Sequence, residues 1–190
     1  MATSISIASN ALVLIGDNPI SSFTEAGTGA QAAANLYPNA YEQALSEHPW
    51  SFATKEAVLS RLSALPDTRT GFKYAFQLPS DMIRLWKIMD DGHYAIVNGL
   101  LYSNLESLMA RYVYKVNESE LPAHFVSGLQ YRLAADFALL VTESPSKAQI
   151  FETKAHKAFA KARTIDSQQS PSIPIQDKPF TDVRGYGLGI

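Results

Sequence analysis

Tyr37-Pro38-Asn39-Ala40-Tyr41-Glu42-Gln43-Ala44-Leu45-Ser46-Glu47-His48-Pro49-Trp50-Ser51-Phe52-Ala53 is the stretch in which the spacing of apolar residues changes from helical to strand-like. Tyr37, Ala40, Tyr41, Ala44 and Leu45 recur at helical intervals. Pro49 stops that helix, because its ring clashes with the preceding turn and biases His48 toward extended geometry. Trp50 and Phe52 then begin a new element with bulky apolar anchors. The segment is a joint between helical sequence before it and short strands that continue to about Val116.

Toward the N-terminus, Ile7, Ala8, Ala11, Leu12 and Ile15 predict a first short helix. Thr3 or Ser4 can cap it, and Gly16 ahead of Asp17-Asn18-Pro19 ends it. After a polar, glycine-containing loop over residues 20–29, Ala33 and Leu36 open the stripe that runs into the joint. Pro38 falls inside it, either as a kink in one helix or as a first-turn residue of a later one; the reading taken is a single kinked helix.

Toward the C-terminus, residues 51–65 fit a strand or a helical continuation and are read as a strand through Ala53, Ala57 and Leu59. Pro66-Asp67-Thr68-Arg69-Thr70-Gly71 is turn chemistry. Phe72, Tyr74, Phe76 and Leu78 then alternate with Lys73, Ala75 and Gln77, which predicts a strand with one apolar face. Met82 to Met89 is another apolar run, Asn98-Gly99 marks a hairpin, and the alternation from Leu108 to Val116 marks a last strand. Short turns between consecutive strands leave no room for parallel crossovers, so one antiparallel sheet is expected. Leu121-Pro122 opens a third helix with a broad apolar side. Ser144-Pro145 opens a fourth, whose narrow stripe of Ala148, Phe151, Ala155, Ala158, Phe159, Ala162 and Ile165 permits close approach of a neighbour. From Ser167 onward periodicity is lost, and the remainder reads as an extended arm dotted with apolar residues.

The 190 residues, 46% hydrophobic, suffice for one core or a core with a satellite layer. A net charge of −2 gives no general attraction to nucleic acid or acidic membranes. Without cysteine there is no disulfide or thiolate chemistry, and zinc would depend on four scattered histidines and carboxylates. The N-terminal apolar run Ala11-Leu12-Val13-Leu14-Ile15 lacks a basic leader, and no run approaches the ~20 residues of a membrane span. A soluble, unsecreted protein that needs no cofactor is expected.

Signals for catalysis are weak. Glu42 and Glu47 lie near His48, and Glu118 and Glu120 near His124, but nothing local promises the burial that would perturb a pKa. Solvated charge is the simpler reading, with His48 capping free carbonyls at a helix end. His93 and His156 form no metal-ligand spacing, Gly27-Thr28-Gly29-Ala30 lacks the lysine of a P-loop, and no serine stands in a nucleophile elbow. Lys147, Lys154, Lys157, Lys161 and Arg163 give the fourth helix a positive polar face, either a solvated side or a surface for DNA phosphates or an acidic partner.

Four segments carry a family resemblance: Ala11-Leu12-Val13-Leu14-Ile15-Gly16, Leu36-Tyr37-Pro38-Asn39-Ala40-Tyr41, His48-Pro49-Trp50-Ser51-Phe52-Ala53 and Tyr74-Ala75-Phe76-Gln77-Leu78-Pro79-Ser80-Asp81-Met82-Ile83-Arg84. In this order and spacing the chain, over about residues 5–165, resembles the head-to-tail adaptors of tailed bacteriophages, the tail tubular protein A or connector type. The most specific part is the Pro49-Trp50-Ser51-Phe52-Ala53 joint followed by the aromatic strand ending in Leu78-Pro79-Ser80-Asp81-Met82-Ile83-Arg84; no motif matches beyond Ser167.

The resemblance implies an α+β fold, a bundle of about four helices with an antiparallel β-lobe inserted between helices 2 and 3. Residues 1–50 and 121–167 would form the bundle, 51–120 the lobe and 168–190 an extended C-terminal arm. It implies a structural virion protein rather than an enzyme, assembled in the host cytoplasm and placed at the head–tail junction. There it would form a dodecameric ring between the portal protein and a tail or nozzle protein, around a channel that passes DNA without reading its sequence. An arm with apolar residues suits folding onto a partner, so Phe180, Arg184, Tyr186, Leu188 and Ile190 are expected to dock on the portal ring. Two other readings compete. One is a tail-associated peptidoglycan hydrolase using Glu47 and Glu120, since some short-tailed phage connectors are linked with muralytic activity. The other is a sequence-independent DNA-binding module built on the fourth helix.

Overall fold

The computed structural model describes residues 2–64 and 70–169. Helix α1, Ser4–Ile15, starts in a reciprocal cap: Ser6 N donates to Thr3 Oγ1 (3.1 Å) and Thr3 N to Ser6 Oγ (2.9 Å). It ends at Gly16, whose φ of 91° suits a residue without a side chain. Helix α2, Thr28–Ser46, runs through Pro38. A proline inside a helix forfeits a hydrogen bond, but Pro38 faces solvent while Ala33, Tyr37, Ala40, Tyr41, Ala44 and Leu45 on either side are buried. Core burial holds the helix continuous across it.

After Pro49 the chain makes a short 3-10 turn, Ser51–Ala53, before β1, Thr54–Val58. The expected strand thus begins three residues late. The remaining strands are β2 (Ser60–Arg61), β3 (Tyr74–Gln77), β4 (Met82–Ile88), β5 (Tyr94–Val97), β6 (Leu100–Ser103) and β7 (Met109–Tyr114). Every pairing is antiparallel, but they form two sheets rather than one, ordered β1-β7-β4 and β2-β3-β6-β5. Leu59 makes the corner. Its N–H still bonds the Leu108 carbonyl (2.8 Å), yet its side chain is buried in the lobe, so the chain leaves one sheet and enters the other around it. The Asn98-Gly99 hairpin forms as expected, with positive φ at both residues (51° and 75°) and Val97 opposite Leu100. In β3 the expected single apolar face is incomplete: Ala75, on the opposite face, is as buried as Phe76. The turn 66–71 lies largely outside the described residues.

Helices α3, Ala123–Leu140, and α4, Pro145–Gln169, complete an α+β fold of four helices with the β-lobe between α2 and α3. Helix α4 continues two residues past the expected end at Ser167. Helix α3 packs against each of the other three. Its Gly128 leaves room for the ring of Phe159 on α4, since a Cβ there would lie 2.9 Å from that ring.

Two apolar clusters result. The larger joins all four helices and includes Trp50, Phe125, Phe137 and Phe159, with Val113 and Val116 entering from the lobe side. The smaller lies within the lobe, around Leu59, Phe76, Ile88, Leu101, Leu108 and Ala110. Tyr41 Oη donates to the Val116 carbonyl at 2.6 Å and ties α2 to the strand that leads out of the lobe. No helix among the described residues is long and apolar enough to cross a membrane.

Candidate interaction surfaces

The joint singled out in the sequence is fixed by α4. Asp166, nearly fully buried near the end of that helix, accepts from Ser51 Oγ (2.6 Å) and from Ser51 N at both carboxylate oxygens (3.1 Å). A carboxylate near a helix C-terminus opposes the helix dipole. Here it caps the 3-10 turn instead, supplying the acceptor that free N–H groups at its start require. His48 Nε2 lies 3.6 Å from the same carboxylate, and its ring packs edge-on against Trp50 at 4.9 Å. The imidazole therefore turns toward Asp166, not toward the carbonyls of α2 as expected. Burial pushes its pKa down, with Asp166 opposing the shift and Arg163 and Arg84 adding to it. Trp50 Nε1 donates to the Ala44 carbonyl (3.0 Å), and its ring meets Phe52, Phe125 and Phe159.

The five basic residues of α4 have different surroundings. Lys147 Nζ donates to the Ile15 carbonyl (2.9 Å), capping the C-terminus of α1. Lys154 lies over the ring of Phe151, 5.0 Å from its centroid. Lys157 and Lys161 are exposed and form no ion pair among the described residues. Lys147, Lys154 and Lys161 recur every seven residues and so lie on one stripe, about 21 Å long at the helical rise of ~1.5 Å. Arg163 departs from that stripe, half-buried, into a groove between α2, α3 and α4.

The groove has a volume of about 370 Å³ and brings together Glu47, Arg132, Asp136, Glu152, His156 and Arg163. Glu47 is paired with Arg132 at 2.6 Å. Burial raises the pKa of Asp136, with Arg132 opposing and Glu152 reinforcing the shift. Glu120 is not among its lining residues; it belongs to the 3-10 turn Glu118–Glu120 ahead of α3, so the two carboxylates of the hydrolase reading do not share this groove. Glu42 is paired with Lys115 (2.8 Å), and Glu118 accepts from Tyr37 Oη at 3.5 Å. No group of three or more metal-ligating side chains occurs among the described residues.

The sequence reading missed a further surface. The outer side of β1-β7-β4 carries the Arg111 guanidinium bonded to Glu56, with Nε at 2.8 Å, beside Trp86, which is 48% exposed. A register shift between Leu85 and Lys87 sets Trp86 and Lys87 together opposite Arg111. Such a bulge re-aims a side chain, and it turns Trp86 toward solvent. The only hint in the sequence is that the apolar run from Met82 to Met89 is interrupted by Arg84 and Lys87 without regular alternation. Phe180, Arg184, Tyr186, Leu188 and Ile190 lie outside the described residues.

Comparison with protein-family models gives no match to this chain, and comparison with curated proteins gives none either.

Proposed function

We propose that this chain is a structural adaptor of a tailed-phage virion, joining portal to tail as a ring at the head–tail junction and lining the DNA passage. The observation that carries the reading is the inserted lobe. A four-helix bundle interrupted between α2 and α3 by two small antiparallel sheets is the architecture that the sequence resemblance implies. It also offers separate surfaces, the basic stripe of α4 and the outer face of β1-β7-β4. Rings of identical subunits require such non-identical faces, because each copy meets its neighbours through different sides. In the ring, Lys154, Lys157 and Lys161 serve as the surface toward DNA or an acidic neighbour, and their spacing along one helix suits phosphate contact without base reading.

The experiment is negative-stain microscopy of the purified protein alone and mixed with portal particles. Twelve-fold rings seated on portals support the reading, and portals that stay bare at saturating protein overturn it. Portal docking by Phe180, Arg184, Tyr186, Leu188 and Ile190 is tested separately. Removal of residues 168–190 should abolish portal binding while the helical circular dichroism signal persists.

A further inference from the structure

Each of the two sheets ends in two edge strands, and three of these edges carry features that discourage further pairing. β2 is only Ser60–Arg61. β1 holds Lys55 and Glu56, both exposed. β4 shifts register against β7 and carries Arg84 and Lys87. The remaining edge, β5, has no such feature. Its sequence Tyr94-Ala95-Ile96-Val97 is uncharged and keeps an unbroken register with β6. Tyr94 and Ile96 are 44% and 48% exposed, and no strand among the described residues pairs with the outer side of β5.

The hairpin fixes which backbone groups this edge presents. A two-residue loop makes the residues beside it, Val97 and Leu100, a hydrogen-bonded pair, and such pairs alternate along an antiparallel ladder. Val97 and Ala95 therefore turn their N–H and C=O groups to β6, while Tyr94 and Ile96 turn theirs to the open side. An edge of this kind recruits an extended strand.

We propose that the recruited strand is β5 of a second copy, paired antiparallel about a two-fold axis at Ala95. Self-complementarity selects it. With each face of the sheet continued across the axis, Ala95 meets Ala95 of the copy, Tyr94 meets its Ile96, and Ile96 meets its Tyr94. Every outward-turned group then has a partner, in about four backbone hydrogen bonds. An axis at Ile96 would set Tyr94 against Asn98, and an axis at Tyr94 would set Ile96 against Gly92, neither of which belongs to a strand. Tyrosine opposite isoleucine is an aromatic–β-branched pair of the kind that stabilises a ladder. Both residues lie on the face of Leu101, so the pairing extends the lobe core from one copy to the next. One short strand is a small interface, so the dimer belongs to the weak class. It joins like to like, whereas neighbours in a ring meet through different faces, so it does not rest on the adaptor reading.

The chain contains no cysteine, which makes the test direct. Across the axis, residue 95 faces itself as a non-hydrogen-bonded pair with Cα atoms about 4.5 Å apart, a separation that a disulfide spans. In glutathione redox buffer, full-length Ala95→Cys should therefore crosslink into dimers at least about tenfold faster than Ser60→Cys on the β2 edge, because pairing raises the local thiol concentration. Tyr94→Lys together with Ile96→Lys sets the introduced lysines face to face and should abolish the dimer of the parent chain in sedimentation equilibrium. Tyr94→Lys together with Ile96→Glu sets opposite charges across the same register and should retain it; altering the same two positions, it also controls for loss of folding. Equal crosslinking of Ala95→Cys and Ser60→Cys overturns the proposal, as does a double-lysine variant that dimerises like the parent. A parent chain that sediments as a monomer at about 1 mM overturns it too.

Discussion

Asp166 and Ser51, separated by 115 residues, are joined by three hydrogen bonds, and through them the end of the last helix holds the entry to the β-lobe. Asp166→Ala leaves the Ser51 N–H and hydroxyl without their acceptor and removes the partner of His48. Bonds to a charged group of this kind contribute about 1.5–3 kcal/mol, so the variant should lose about 2–4 kcal/mol in urea unfolding. Asp166→Asn, which keeps an acceptor, should lose less.

The groove between α2, α3 and α4 should reveal itself in the pH dependence of stability. Burial raises the pKa of Asp136, so the folded state holds its proton more tightly than the unfolded state does. The resulting penalty is absent below the unfolded value and fully present above the folded one, so it grows as pH rises through that window. Asp136→Asn should therefore stabilise the protein at pH 7, and the gain should vanish as the parent is acidified below about pH 4. His48 acts in the opposite direction. Its depressed pKa means that protonation on acidification disfavours the folded state, so stability falls as pH drops from the ordinary histidine value through the lowered one. His48→Gln should flatten that part of the profile. Thermal unfolding across a pH series measures both.

Gly128 should resist substitution despite its place inside a helix. Alanine would gain about 1 kcal/mol in helix propensity. Its Cβ, however, would sit 2.9 Å from two ring carbons of Phe159, a side chain held by Trp50 and Phe125. Overpacking of this kind costs about 1–3 kcal/mol, so Gly128→Ala should be neutral to destabilising by about 2 kcal/mol. Gly128→Val should be clearly worse in chemical denaturation.

Among the lysines of α4, stability and surface charge should separate. Lys147→Met removes the cap on the Ile15 carbonyl and should cost about 0.5–1.5 kcal/mol. Lys157→Gln with Lys161→Gln should leave the unfolding midpoint nearly unchanged. If the stripe binds phosphates, that pair should weaken DNA retention and reduce the slope of log affinity against log salt by about one for each phosphate no longer neutralised. Nitrocellulose retention of duplex DNA over a salt series provides the measurement.

What could be read from the linear chain was whatever local chemistry dictates. The Thr3 cap and Gly16 stop, the interruption at Pro49, the Asn98-Gly99 hairpin and the four helical stripes each depend on neighbours in sequence, and all appear in the structure. Together with the order of elements they define an α+β chain with strands between two helical halves. The basic face of α4 was visible as composition, but the commitment of Lys147 to α1 was not, because Ile15 lies 132 residues away.

Tertiary structure decided the rest for a common physical reason: burial and polar pairing act between residues that no periodicity links. Leu59 could be assigned to a corner between two sheets only once both sheets enclosed it. The turning of Trp86 toward solvent required the register against β7, and the seating of Asp166 beneath the joint required the packing of α4. An aspartate late in a helix reads locally as a surface charge; only the fold supplies the N–H and hydroxyl that make its burial favourable.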